Sequence, residues 1–233
     1  MSLLDDYRAE LAAADARLIT TVAGLSDEEM RAPSALDGWT RGHLATHVSR
    51  NADSLVNLLT WARTGVVTPQ YRDAAERDEG ILKGFARPAE EQLADLEEST
   101  ARFAEAADAL PADRWSFRVE GTRPPSHPVW YVVMRRLREV EIHHSDFGAG
   151  YTWRDWPDRY VHWEFGDSPQ LSDRATYGRL TATDTGETII GAEGPHLQAT
   201  KRELAAWMTG RHAPDGFPPP PAWMVRSAPD GLA

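Results

Sequence analysis

The sequence predicts an α+β protein: a bundle of four long helices over residues 1–150, then a small α/β domain over residues 151–233. Three observations predict it. Apolar residues recur every three or four positions in separate stretches before residue 150. Glycine and proline punctuate those stretches where helices would stop and start. Beyond residue 150 the pattern changes to short alternating runs bounded by turn residues, which reads as strands.

The first helix carries Leu4, Tyr7, Leu11, Ala14, Leu18 and Val22 on one face, with Gly24 as its stop. Ser26 and Glu29 have the spacing of a capping box and open a short helix. Pro33 and the pair Asp37-Gly38 mark a loop, and Thr40 caps a long second helix. That helix presents Leu44, His47, Asn51, Leu55 and Leu58 along one ridge and ends at Thr64-Gly65. A short helix is predicted over Arg72 to Phe85. The third long helix runs from about Pro88 to Leu110, with Leu93, Leu96, Thr100 and Phe103 as its stripe. Residues 121–128 read as a loop, and Pro128 begins the fourth long helix, which ends at Phe147-Gly148.

In the second domain a helix is predicted over Asp155 to Phe165. A hairpin follows over Arg174 to Ile190, with alternating Tyr177, Arg179, Thr181 and Thr183 and a turn at Asp184-Thr-Gly186. Thr200 and Glu203 form a capping box for a last helix ending at Gly210. Pro218 to Pro221 keep the tail extended. The chain contains neither a dinucleotide-binding glycine fingerprint nor a phosphate loop.

The composition narrows the chemistry. A formal charge of −11 without a basic run argues against nucleic acid as a partner. The N-terminus lacks the pattern of a signal peptide and no apolar run approaches a membrane span, so a cytoplasmic protein is expected. Cysteine is absent, which removes disulfides, thiolate metal ligands and a cysteine nucleophile. Any thiol used in a reaction must therefore come from outside the chain.

Five of the eight histidines are candidates for a site. His43 and His47 lie on the second long helix, His127 in the loop before the fourth, and His143 and His144 near its end. Histidine and carboxylate together suit zinc or another divalent first-row ion, and a bundle builds such sites from facing helices. Two ligands on one helix need a spacing of three or four. Glu139 with His143 and Glu141 with His144 both satisfy it. The apolar stripe of Trp130, Val133, Leu137 and Val140 leans slightly towards Glu141 and His144, and the choice stays open on periodicity alone. His47 points at the bundle; His43 could be a ligand, a supporting group or solvated.

The residues themselves show a resemblance. Asp37-Gly-Trp-Thr-Arg-Gly-His-Leu-Ala-Thr-His47-Val resembles the start of the metal-site helix in the mycothiol-dependent maleylpyruvate isomerase family, a DinB-like bundle. Arg138-Glu139-Val-Glu-Ile-His143-His-Ser-Asp146-Phe resembles its second signature: Glu, three residues, His, two residues, Asp. Ala205-Ala-Trp-Met-Thr-Gly-Arg211 and Pro221-Ala-Trp223 resemble motifs of its C-terminal domain. Ser145 and Phe147 depart from the family's usual residues, as does Gln70, where methionine commonly precedes the tyrosine matched by Tyr71.

The resemblance implies a metal triad of His47, Glu139 and His143, with Asp146 in support. It implies a catalytic Arg211, which could hold a substrate carboxylate. It also implies mycothiol as the low-molecular-weight thiol cosubstrate. A bound divalent ion, zinc foremost, would hold that thiol as a nucleophile for cis-trans isomerisation of a maleylpyruvate-like unsaturated keto acid. Two alternatives stand beside this: a mycothiol S-transferase for another small electrophile, and a non-catalytic metal- or ligand-binding regulatory bundle. The expected state is a monomer or a homodimer.

Overall fold

The computed structural model describes residues 2–122, 126–171 and 176–221. The chain divides into two compact units, one over Met1–Phe147 and one over Gly148–Ser227. Helices dominate, and short strands complete the predicted α+β class.

In the first unit α1 (Leu3–Ala23) leads through the short α2 (Asp27–Arg31) to α3 (Arg41–Thr64). The short α4 (Ala74–Gly84), α5 (Ala89–Asp108), a two-stranded ribbon of β1 (Arg118–Val119) and β2 (His127–Pro128), and α6 (Tyr131–Asp146) follow. Helices α1 and α3 each pack against both α5 and α6, so the four long helices close a ring. The predicted apolar ridges are what they bury: Leu11, Leu18, Leu44, Leu55, Leu58, Leu96, Phe103 and Leu137 all lie in the core. Local chemistry sets the ends. Capping boxes at Ser26 and Thr40 satisfy orphan amides of α2 and α3, and Gly65, at φ 75°, closes α3 in the left-handed region.

Helix α6 begins at Tyr131, three residues later than the predicted Pro128. The amides of Val129 and Trp130 donate to the carbonyls of Phe117 and Trp115 at 2.8 and 3.1 Å. That segment is therefore pinned to the ribbon before the helix can take it. His127, predicted in a loop, pairs with Val119 in the ribbon. Residues 123–125 of that predicted loop lie outside the described residues.

Two contacts fix α3 against its neighbours. A side-chain carbon at Gly42 would lie 2.1 Å from the Phe85 carbonyl oxygen, so the end of α4 crosses α3 where only glycine fits. Gln92 on α5 then donates from Nε2 to the Gly84 carbonyl at 2.8 Å and accepts from Thr46 at 3.0 Å. Across the ring, Arg136 of α6 is fully buried. It donates to the Val48 carbonyl at 2.7 Å, to Asn51 Oδ1 at 3.3 Å and to Asp15 Oδ1 at 3.3 Å. One side chain thus ties α6 to both α3 and α1.

The second unit holds α7 (Asp158–Leu171), β3 (Arg179–Ala182), β4 (Thr188–Ile190), β5 (His196–Ala199) and α8 (Lys201–Met208). Helix α7 starts three residues after the predicted Asp155. Trp156 precedes Pro157 and is held extended, at φ −57° and ψ 133°, which separates α7 from the single 3-10 turn at Trp153–Asp155. Strands β3 and β4 form the predicted hairpin, pairing Thr181 with Thr188; residues 174–175 of the predicted stretch lie outside the described residues. Strand β5 was not predicted. It pairs parallel to β3, and Leu180 and Leu197 pack with Phe165, Leu204 and Trp207 in the core of this unit. Trp207 Nε1 donates to the Pro218 carbonyl at 2.9 Å, which holds the start of the proline run on α8. Trp223 lies outside the described residues. Among the described residues, no helix is long and apolar enough to cross a membrane.

Candidate metal centre

His47 lies in the second turn of α3, and Glu139 and His143 lie one turn apart on α6. Packing of α6 on α3 brings the three together. His47 Nε2 is 3.1 Å from Glu139 Oε2 and 3.2 Å from His143 Nε2, and His143 Nε2 is 3.3 Å from Glu139 Oε2. Bonds of roughly 2.0–2.1 Å at tetrahedral angles would place three ligand atoms about 3.3–3.4 Å apart. The cluster therefore has the chemistry and the spacing of one face of a tetrahedral site. Such a set can hold a divalent ion. Trp39 is buried, with its ring edge-on to His47 at 5.5 Å.

The electrostatics divide the two imidazoles. Burial lowers the His47 pKa to about 4, against the opposing pull of Glu139, so its ring stays neutral at neutral pH. Burial also opposes charge on His143, but hydrogen bonds to Asp146 and Glu139 outweigh it and raise its pKa. Glu139 resists its own desolvation through its bonds to both histidines and stays well below the ordinary carboxylate range. Its side chain keeps 32% of its surface exposed, at the mouth of the cluster.

Asp146, which the resemblance implies as a supporting residue, is buried. Its Oδ2 accepts from His143 Nδ1 at 2.9 Å. That bond fixes the tautomer that turns the Nε2 lone pair towards the cluster. No such partner orients His47, whose Nδ1 has no hydrogen bond among the described residues.

The competing pair points elsewhere. Glu141 is buried against α1, where Arg17 reaches it at 2.7 Å, and His144 Nε2 meets Thr21 Oγ1 at 2.7 Å. The slight lean of the apolar stripe towards Glu141 and His144 is thus corrected: these two meet α1, and Trp130 of that stripe is exposed. His43 is neither solvated nor in the cluster. Its Nδ1 accepts from the Thr40 amide at 3.1 Å, and its ring stacks on Phe85 at 4.0 Å. His127 lies with its ring tilted against Tyr131, centroids 5.1 Å apart, and meets Arg135 Nη1 at 3.3 Å. Arg211 follows α8 in the second unit, half-buried, and its Nη1 donates to the Thr209 carbonyl.

The sequence reading missed Arg135. It lies four residues before Glu139, and that spacing was the signal that could have placed it on the same helix face.

Two solved structures share this architecture. A mycothiol-dependent maleylpyruvate isomerase matches with a TM-score of 0.86 at 26% identity, over 98% of this chain and 96% of its own. A histidine-to-alanine mutant of mycothiol-dependent maleylpyruvate isomerase matches with the same TM-score and identity, over 94% of this chain and 96% of its own. No curated protein matches the chain. Fold and neighbours together define an enzyme of the isomerase class. The family model for the mycothiol maleylpyruvate isomerase N-terminal domain matches residues 11–148, more than half of the length, and the chain belongs to that family.

Proposed function

We propose that the protein is a divalent-metal- and mycothiol-dependent cis-trans isomerase of maleylpyruvate-like unsaturated keto acids. The observation that carries this reading is the spacing of the His47, Glu139 and His143 ligand atoms, 3.1 to 3.3 Å across two facing helices. Family membership favours an isomerase over the non-catalytic alternative.

Three protein ligands suit zinc, and the bound ion would supply an open position at which an external thiol is held as thiolate. The chain brings no thiol of its own. His47, neutral through burial, offers its lone pair without first losing a proton. His143 is aimed by Asp146, and Glu139 adds the single negative charge. The thiolate sulfur adds to one carbon of the conjugated cis double bond, and the electron pair moves onto the keto oxygen as an enolate. The former double bond is then single and rotates. Collapse of the enolate expels the thiolate and leaves the trans double bond, so no atom is gained or lost. Arg211 is assigned to a substrate carboxylate or the developing enolate, through its forked guanidinium.

The test is the fate of both reactants. The zinc-loaded protein, given mycothiol and maleylpyruvate, should convert the cis acid to the trans acid while the thiol is recovered undiminished. Stoichiometric consumption of thiol into a stable conjugate would replace the isomerase with an S-transferase.

A second expectation concerns Asp146. Asp146→Asn should weaken zinc binding by about 10–100-fold, the usual cost of losing a carboxylate behind a ligating histidine. Competition with a chromophoric chelator measures it, and affinity within twofold of the parent would remove Asp146 from the site.

A further inference from the structure

The helix face that carries Glu139 holds one more charged group. Arg135 lies one turn earlier, about 6 Å back along the helix axis. Its guanidinium is covered: a side-chain carbon at Gly121 would sit 2.7 Å from Nη1. Nη2 donates to Gln70 Oε1 at 2.7 Å, and Nη1 meets His127 Nε2 at 3.3 Å. Both partners are uncharged, because burial lowers the His127 pKa and keeps that ring neutral. Arg135 makes no ion pair among the described residues. Neutral acceptors return only part of the solvation that a covered guanidinium gives up, and burial lowers its pKa accordingly.

Two neighbours of Arg135, Gln70 and Gly121, also line a cleft of about 190 Å³ with Trp61, Tyr71 and Glu120 among others, so the space begins one residue away from the guanidinium. Gln70 is itself buried and anchored, donating from Nε2 to Ser54 Oγ at 3.2 Å, so its carbonyl oxygen is fixed against Arg135. Glu120 is exposed and forms no ion pair with Arg135. Glu139, one turn on, attracts this charge without an ion-pair contact to it among the described residues. A planar fork of donors held in this way matches a carboxylate in geometry and in charge.

We infer that Arg135 is a specificity-determining residue that binds a carboxylate of the unsaturated keto acid, with Gln70 setting the orientation of its fork. The inference rests on the isomerase reading for the identity of the substrate. The anion site itself rests only on the arrangement of Arg135, Gln70, His127 and the cleft.

The test uses the zinc-loaded full chain and two probes. With maleylpyruvate and mycothiol, Arg135→Gln should raise the KM for maleylpyruvate about a hundredfold, the effect of losing two charge-assisted hydrogen bonds. The KM for mycothiol and the zinc content should stay as they were, and Arg135→Lys should recover part of the loss. Maleate, a simple cis dicarboxylate, is titrated separately by tryptophan fluorescence, and its affinity should fall at least tenfold in Arg135→Gln. Gln70→Glu, which sets an internal carboxylate on an intact Arg135, should weaken maleate to a similar degree and decides the matter should Arg135→Gln fail to fold. Maleate affinity and maleylpyruvate KM equal to the parent in these variants, or no maleate binding by the parent, overturns the assignment. Maleate binding that the variants lose, in a protein that does not isomerise maleylpyruvate, supports the anion site and sinks only the isomerase reading.

Discussion

Glu139→Gln is expected to empty the metal centre and abolish turnover while leaving the bundle folded. The substitution keeps the shape of the side chain and removes the one negative charge in the cluster. Two imidazoles 3.2 Å apart then remain as the protein's ligands. Two neutral ligands hold a divalent ion far more weakly than three that include a carboxylate. Loss of the ion removes thiolate formation at neutral pH, a contribution of several kcal/mol, so activity should fall by about a thousandfold or more. Elemental analysis should give about one ion per chain in the parent and almost none in Glu139→Gln or His47→Ala. Circular dichroism checks that both variants keep their helices. A full complement of metal in both would remove Glu139 and His47 as ligands.

Arg136→Ala is the substitution expected to cost the most stability, about 3–5 kcal/mol. Arg136 is fully buried, and its partners are the Val48 carbonyl, Asn51 and the buried Asp15. Removing the guanidinium leaves the Asp15 carboxylate buried without that donor, while the Val48 carbonyl keeps its helical bond. Burial already raises the Asp15 pKa in the parent, with Arg136 opposing it, so the variant's Asp15 should bind a proton on folding. The sign follows from linkage. A folded state that binds more protons than the unfolded one loses stability as pH rises, so the deficit should narrow as pH falls. Urea unfolding at several pH values measures this. Replacing both charges, with Arg136→Met and Asp15→Leu together, should recover most of the loss, because a buried pair is often exchangeable for packed apolar groups. A deficit below about 1 kcal/mol for Arg136→Ala would show that Arg136 does not pin α6.

The two predictions share a cause. Arg136 sets the rotation of α6 between α1 and α3, and that rotation decides which of its acidic and histidine residues meet His47. Glu139 and His143 turn to α3; Glu141 and His144 turn to α1, where Arg17 and Thr21 receive them.

The sequence by itself determined what is local and periodic. The four long helices, their stripes, the boxes at Ser26 and Thr200 and the cap at Thr40 are written in spacings of three and four, because caps and ridges form between near neighbours. The motifs around His47 and Glu139 carried the family, and the absence of cysteine placed any thiol outside the chain. Tertiary structure decided what depends on distant partners. Pro128 looked like a helix start, yet the carbonyls of Trp115 and Phe117 hold the following amides and delay α6 to Tyr131. Strand β5 forms because β3 offers it a parallel edge, a pairing that its four residues do not announce. Glu139 and Glu141 each have a histidine at a workable spacing, and only the packing of α6 distinguishes them. Gln70 and Arg135 lie 65 residues apart and meet at 2.7 Å. Periodicity describes one element at a time, whereas a site is made where two elements meet, and their relative rotation is set by buried contacts such as those of Arg136.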